Sequence, residues 1–312
     1  MLRNTRTKRI CALTVWARSI GMLLIGMLYL PALLSAQDPN ISRLAEELQN
    51  SNISIRRKAA IALGRASYPQ SVNLLQAALS TEQNVSIRLE IVRALRHIAF
   101  QRFPGYPEAL RALGAASDDG IESNELVRLR ASEALWEAAK KDLLNPVPFL
   151  QRNLSDESQR LRLSAVRMLH KLGTPQTLDP LGRTAIDKSQ SDTIRLKAIE
   201  AIGAISLSDP GPVGRTIAEN NRRTTELLGQ PPLIGQGSLE RRHEKQIGYL
   251  SVVVRDLNNS APLMLRAVKS IGQVKDKSAI AALQEIINTH SNQAVRKQAT
   301  RVLSHILARQ YE

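Results

Sequence analysis

The chain has 312 residues, 43% hydrophobic and only 3% aromatic, with a formal net charge of +15. Its length suffices for a sizeable core, and its single cysteine, Cys11, excludes a disulfide within the chain. The charge disfavours basic partners and directs attention to acidic ones.

Residues 1–9 carry Arg3, Arg6, Lys8 and Arg9 without an acid, and residues 19–36 (SIGMLLIGMLYLPALLSA) carry no charge. A basic start and an apolar stretch ending in small residues is the pattern of a secretory signal. Cleavage is expected after Ala36, so residues 1–36 read as a signal peptide and 37–312 as the exported protein, periplasmic or in the cell envelope. Leu34 fits the small-residue rule poorly, so an anchor retained through residues 19–36 is the alternative. Against an anchor, the apolar run is short for a spanning helix and Pro31 interrupts it. Cleavage would remove Cys11, and with it any thiol chemistry. It would also remove Arg3, Arg6, Lys8, Arg9 and Arg18, which lowers the net charge to +10.

Beyond the leader one pattern recurs to the C-terminus, clearest in residues 192–206 (DTIRLKAIEAIGAIS). Ile194, Ala198, Ile202 and Ile205 fall on one helical stripe. Six further segments align with it without a gap, beginning at Ile55, Ile87, Val127, Leu161, Leu263 and Val295. The second residue of each segment serves as a marker: Arg56, Arg88, Arg128, Arg162, Arg195, Met264 and Arg296. Four residues before the marker stand Asn52, Asn84, Asn124, Ser158, Ser191, Ser260 and Asn292. All seven are residue types that cap helix N-termini. Three residues after the marker, six of the seven segments carry alanine. Eight after it, Gly64, Gly203 and Gly272 share a column that implies close helix packing.

Successive markers lie 32, 40, 34, 33, 69 and 32 residues apart. That period belongs to helical solenoids, whose units bury their apolar faces against one another. Each interval has room for a first helix before the capped one, as at 71–79, 106–113, 147–154 and 280–289. Two intervals are long. One contains residues 100–108 (FQRFPGYPE), a turn-rich connection expected to tuck its rings under the next helix, with an aromatic contact patch for a partner as the alternative. The other is an irregular insertion at 207–259, with a helix expected over 238–257.

Segments such as NISIRRKAAIALGRA (52–66) and DTIRLKAIEAIGAIS (192–206) resemble HEAT repeats, in particular the short HEAT-like repeats of phycobilisome lyase proteins. The resemblance covers roughly residues 41–309. It implies an all-α solenoid of about seven helix pairs. It also implies that the marker arginine pairs with an acid of an adjacent unit, and that the second helices line the concave surface. Met264 departs from the marker pattern.

Positions two, five and nine after the marker share one exposed stripe of the capped helix. The basic residues there are Lys58, Arg65, Arg93, Arg130, Arg167, Lys171, Lys197, Arg266, Lys269 and Arg301. The acids are Glu90, Glu133, Glu137 and Glu200, so the stripe has an excess of six positive charges. One reading is a basic groove for an acidic partner: a protein segment, an anionic polymer or a lipid headgroup. The other is a solvated face that keeps the protein soluble. Nucleic acid is disfavoured, because the leader predicts export and aromatics are not interleaved with the basic residues. Membrane contact is expected only through an uncleaved leader.

No catalytic residue, cofactor or metal site is expected. His97, His170, His243, His290 and His305 lack metal-ligand spacing, and residues 240–244 read as an ordinary charged helix face. There is no nucleophile elbow, phosphate loop or dinucleotide fingerprint. The expected function is therefore a non-enzymatic scaffold or adaptor that binds an acidic protein. Two alternatives stand beside it. One is a lyase-related enzyme or enzyme accessory, which the resemblance alone implies. The other is a module that self-assembles through its last helix.

Overall fold

The structure is a computed structural model that describes residues 39–308 apart from 67, 103–104, 142, 206–238 and 275. The expected leader and most of the 207–259 insertion lie outside these residues. The described residues form fourteen α-helices and no strand. They fall into seven consecutive pairs: α1 (Pro39–Glu47) with α2 (Ile53–Ala66), α3 (Pro69–Thr81) with α4 (Val85–Gln101), and α5 (Tyr106–Ala116) with α6 (Glu125–Lys140). Next come α7 (Val147–Asn153) with α8 (Gln159–Leu172), and α9 (Leu178–Ile186) with α10 (Asp192–Ala204). The last are α11 (Leu239–Arg255) with α12 (Ala261–Ile271), and α13 (Lys277–Thr289) with α14 (Gln293–Ala308). The fold is an all-α solenoid, in which each even-numbered helix packs beside the even-numbered helices before and after it. Among the described residues no helix is long and apolar enough to cross a membrane.

Each repeating segment is the second helix of a pair. Asn52, Asn84, Asn124 and Asn292 accept first-turn N–H groups through Oδ1, and Ser158 accepts from Leu161. Ser191 and Ser260 occupy the same position but make no capping bond. Their hydroxyls are engaged elsewhere: Ser191 accepts from Gln159 Nε2 at 3.0 Å, and Ser260 donates to Asp192 Oδ2 at 2.7 Å. The helix expected over 238–257 packs against α9, α10 and α12. It is thus the first helix of the sixth pair.

A ladder of arginines clips the units together. Arg56 donates to the carbonyls of Asn50 and Ser51 and also to Glu82 of the next unit, at 2.7 Å. Glu82 accepts in turn from the N–H of the capping Asn84. Arg88 likewise pairs with Glu122 of the next unit, and Glu122 accepts from the N–H of Asn124. Arg128 is fully buried and completes a third rung, a two-pronged bond to Asp156 at 2.9 and 3.0 Å. Arg162 donates to the carbonyls of Asp156 and Glu157 but meets no carboxylate among the described residues. Ser189 stands where the acid would be. Arg195 bonds Asn259 instead, at 2.7 Å, and Met264 contributes no rung.

Candidate functional site

The column eight residues after the marker decides how closely successive second helices approach. A Cβ on Gly64 would lie 2.7 Å from Ala94 Cβ and 2.8 Å from Ala94 Cα. A Cβ on Gly203 would meet Ser270 at 2.6 Å, and one on Gly272 would meet Val302 at 2.2 Å. At Gly64 the obstruction includes backbone, whereas at Gly203 and Gly272 a neighbouring side chain would have to shift to admit a Cβ. In the second, third and fourth units the same column holds Arg96, Trp136 and His170. Of the successive second helices, α6 and α8 are the least closely packed, and Trp136 stands between them. The buried apolar residues accordingly form two clusters, one over units one to three and one from Trp136 onward. Trp136 belongs to the later cluster while its neighbours Leu135 and Ala138 belong to the earlier one.

Where the helices part, a groove of about 690 Å³ opens across α4, α6 and α8. Leu89, Val92, Leu126, Trp136 and Met168 supply its apolar lining. Arg93, Arg96, Arg130, Lys140, Arg167 and Lys171 surround it, against Glu133 and Glu137. The groove therefore gathers Arg93, Arg130, Arg167 and Lys171 of the expected stripe into one place. Lys58, Lys197, Arg266, Lys269 and Arg301 are exposed on the corresponding helices of other units but do not line it.

The cations are not equally free. Arg93 bonds Glu90 at 2.9 Å, Arg130 bonds Glu133 at 2.6 Å, and Lys140 bonds Glu137 at 2.7 Å, each within one helix. Lys197 donates to Glu200 at 3.0 Å and holds that carboxyl below its usual 4.5. Partial burial opposes this shift, and Arg266 and His170 add to it. Arg167 and Lys171 have no such partner among the described residues. Arg96 sits 5.0 Å from the centre of the Phe100 ring, and Lys141 lies 4.9 Å from it. Phe100 and Tyr106 pack against the first core cluster, as expected for tucked rings, and Phe103 lies outside the described residues.

Arg96, Lys140 and Trp136 were absent from the expected site. A signal for two of them was present: Arg96 and Trp136 occupy the column that three other units fill with glycine. The charged face over residues 240–244 also needs correction. His243 is buried, with Nδ1 at 3.3 Å from Asp276 Oδ2, an ion-pair distance without hydrogen-bond alignment. Among the described residues no group of acids, histidines or cysteines is arranged to hold a metal ion.

Fold and groove together define a helical-repeat solenoid with a basic channel on its second-helix face. A family model for HEAT repeats matches residues 41–123 and 119–203, more than half of the chain, and the chain belongs to the HEAT-repeat family. No curated protein matches it. Among solved structures it is similar to the YibA protein of Escherichia coli, at 13% identity and a TM-score of 0.42, over 87% of this chain and 83% of that one. It is also similar to human deoxyhypusine hydroxylase in complex with glycerol, at 17% identity and a TM-score of 0.34, over 85% and 96%. A third similarity is to the CpcE–CpcF complex of phycocyanin lyase from Nostoc sp., at 16% identity and a TM-score of 0.35, over 87% and 96%.

Proposed function

We propose that the protein is a non-enzymatic interaction scaffold of the cell envelope that binds an acidic protein partner in the groove across α4, α6 and α8. One observation carries the reading: six cations surround the groove against two acids, and Arg167 and Lys171 have no ion-pair partner among the described residues. Such a field concentrates and orients an acidic ligand, and its effect weakens with salt. The basic, apolar leader supports placement in the envelope.

The test is a crosslinking capture from the native host with C-terminally tagged full-length protein, beside a variant carrying Arg167→Glu and Lys171→Glu. Both are fractionated so that the location is read in the same experiment. An acidic protein captured by the wild type and lost from the variant is the expected result. Equal capture by both removes the groove from the account, and recovery in the cytoplasm removes the envelope.

A further inference from the structure

The reading above leaves the form of the acidic ligand open, and the inference drawn here rests on it. The groove has two chemistries. Its rim is cationic, while its floor carries Leu89, Val92, Leu126, Trp136 and Met168, with Leu126 still 36% exposed. Val92, Trp136 and Met168 are already buried, so an anionic polymer would satisfy the rim and leave chiefly Leu126 and Leu89 in water. A ligand with apolar groups on one side and carboxylates on the other satisfies both, and burial of the floor adds affinity that charge alone does not supply. A volume of about 690 Å³ accommodates a few side chains and not a folded domain.

The rim is also partly occupied from within. Glu133 and Glu137 line the groove and hold Arg130 and Lys140. They act as weak internal competitors, because exposed pairs of this kind contribute little and exchange readily. We propose that the groove binds an acidic amphipathic segment of a partner protein. Its apolar side chains seat over Leu126, Trp136 and Met168. Its carboxylates engage Arg167 and Lys171 first, then take Arg130 and Lys140 over from Glu133 and Glu137.

Trp136 makes this directly readable. The chain has two tryptophans, Trp16 and Trp136, so full-length protein with Trp16→Phe reports on the groove floor alone. Two peptides of identical Leu and Glu composition serve as probes, one patterned for a helix and one for a strand. Polyglutamate of equal charge and inorganic polyphosphate are the comparison ligands. One patterned peptide should bind at least about tenfold tighter than polyglutamate and change Trp136 emission. Glu133→Gln should tighten that binding about twofold to fivefold, the range expected for freeing one exposed ion pair. Glu285→Gln makes the same charge change at a pair between Arg255 of α11 and Glu285 of α13, away from the groove, and should leave binding unchanged. Arg167→Glu with Lys171→Glu should weaken binding about tenfold or more, with helix content by circular dichroism unaltered. If polyglutamate binds as tightly and the emission does not move, the amphipathic segment is wrong while the acidic-protein reading stands; if polyphosphate does so, the groove selects charge alone and the acidic-protein reading falls with it. If no acidic ligand binds, both fall. If Glu133→Gln and Glu285→Gln act alike, the internal competition is wrong.

Discussion

Replacing Asp156 with alanine should destabilise the solenoid more than any surface substitution. Arg128 has 0% exposure, and Asp156 meets its guanidinium through both carboxylate oxygens at 2.9 and 3.0 Å. Without Asp156 the guanidinium keeps the carbonyls of Glu122 and Ser123 and a bond to Glu157, whose side chain is 72% exposed and screened by water. The N–H of Ser158 also loses its 2.7 Å acceptor. Stranding a buried charge in this way costs about 3–5 kcal/mol. Exchanging both partners for apolar groups, Arg128→Met with Asp156→Leu, removes the charge and its stranded partner together. It should cost clearly less than Asp156→Ala alone. Urea denaturation followed by circular dichroism at both arms of the cycle measures this, and the fit should allow a second transition because repeat arrays unfold in blocks. A loss below about 1 kcal/mol for Asp156→Ala would refute the argument, since it would mean that water reaches Arg128. So would a double variant that costs the sum of its singles.

Other substitutions test the remaining features. Gly64→Ala drives a Cβ into the backbone of Ala94 and should cost about 1–3 kcal/mol. Gly248→Ala, on the exposed face of α11 with nothing within 4 Å, should instead stabilise by up to about 1 kcal/mol, both read from urea midpoints. Asn124→Ala removes a side chain that accepts two first-turn N–H groups and should cost about 1 kcal/mol, whereas Ser260→Ala, which caps nothing, should lose far less. Burial would raise the pKa of Glu82, but donation from Arg56 and from the N–H of Asn84 outweighs it and leaves the carboxyl below 4.5. Bonds from Ser189 lower Asp187, and a bond from Ser278 lowers Asp276, both below 3.8. Groups depressed in the fold contribute stability that is complete above their ordinary pKa values and is lost as pH falls through the lowered ones. The urea midpoint should therefore fall as pH drops below about 4, and Glu82→Gln should flatten that dependence.

The architecture was legible because seven capped segments keep their columns in phase, and caps and core columns report local physics. Where a local rule failed, a tertiary partner had taken the group. Ser191 and Ser260 have the right residue type in the right place, but their hydroxyls bond Gln159 and Asp192. Helix α9 has no clear signature in the sequence, because Pro175, Pro180 and Gly182 interrupt its pattern. It forms against α10 and α11, with Tyr249 lying over Gly182. The rungs Glu82, Glu122 and Asp156 share a position six residues before the next marker, a column visible in the sequence but silent until the arginines are seen to reach it. The stripe of basic residues was legible as charge. That four of its members, Arg93, Arg130, Arg167 and Lys171, line one groove was not, because this depends on how far neighbouring helices stand apart.

The strongest rung of the ladder sits where the apolar core divides. Between the third and fourth units the two clusters meet at Trp136, and the buried Arg128–Asp156 pair ties the same junction along one edge. Polar bonds take over there from apolar packing: Asn153 Nδ2 donates to Ser132 Oγ at 2.6 Å and Arg152 to Asp118 at 2.6 Å, beside the Arg128–Asp156 pair. Directional bonds fix the register of two units where a continuous apolar core does not, so the groove lies over a joint that is pinned and not greased.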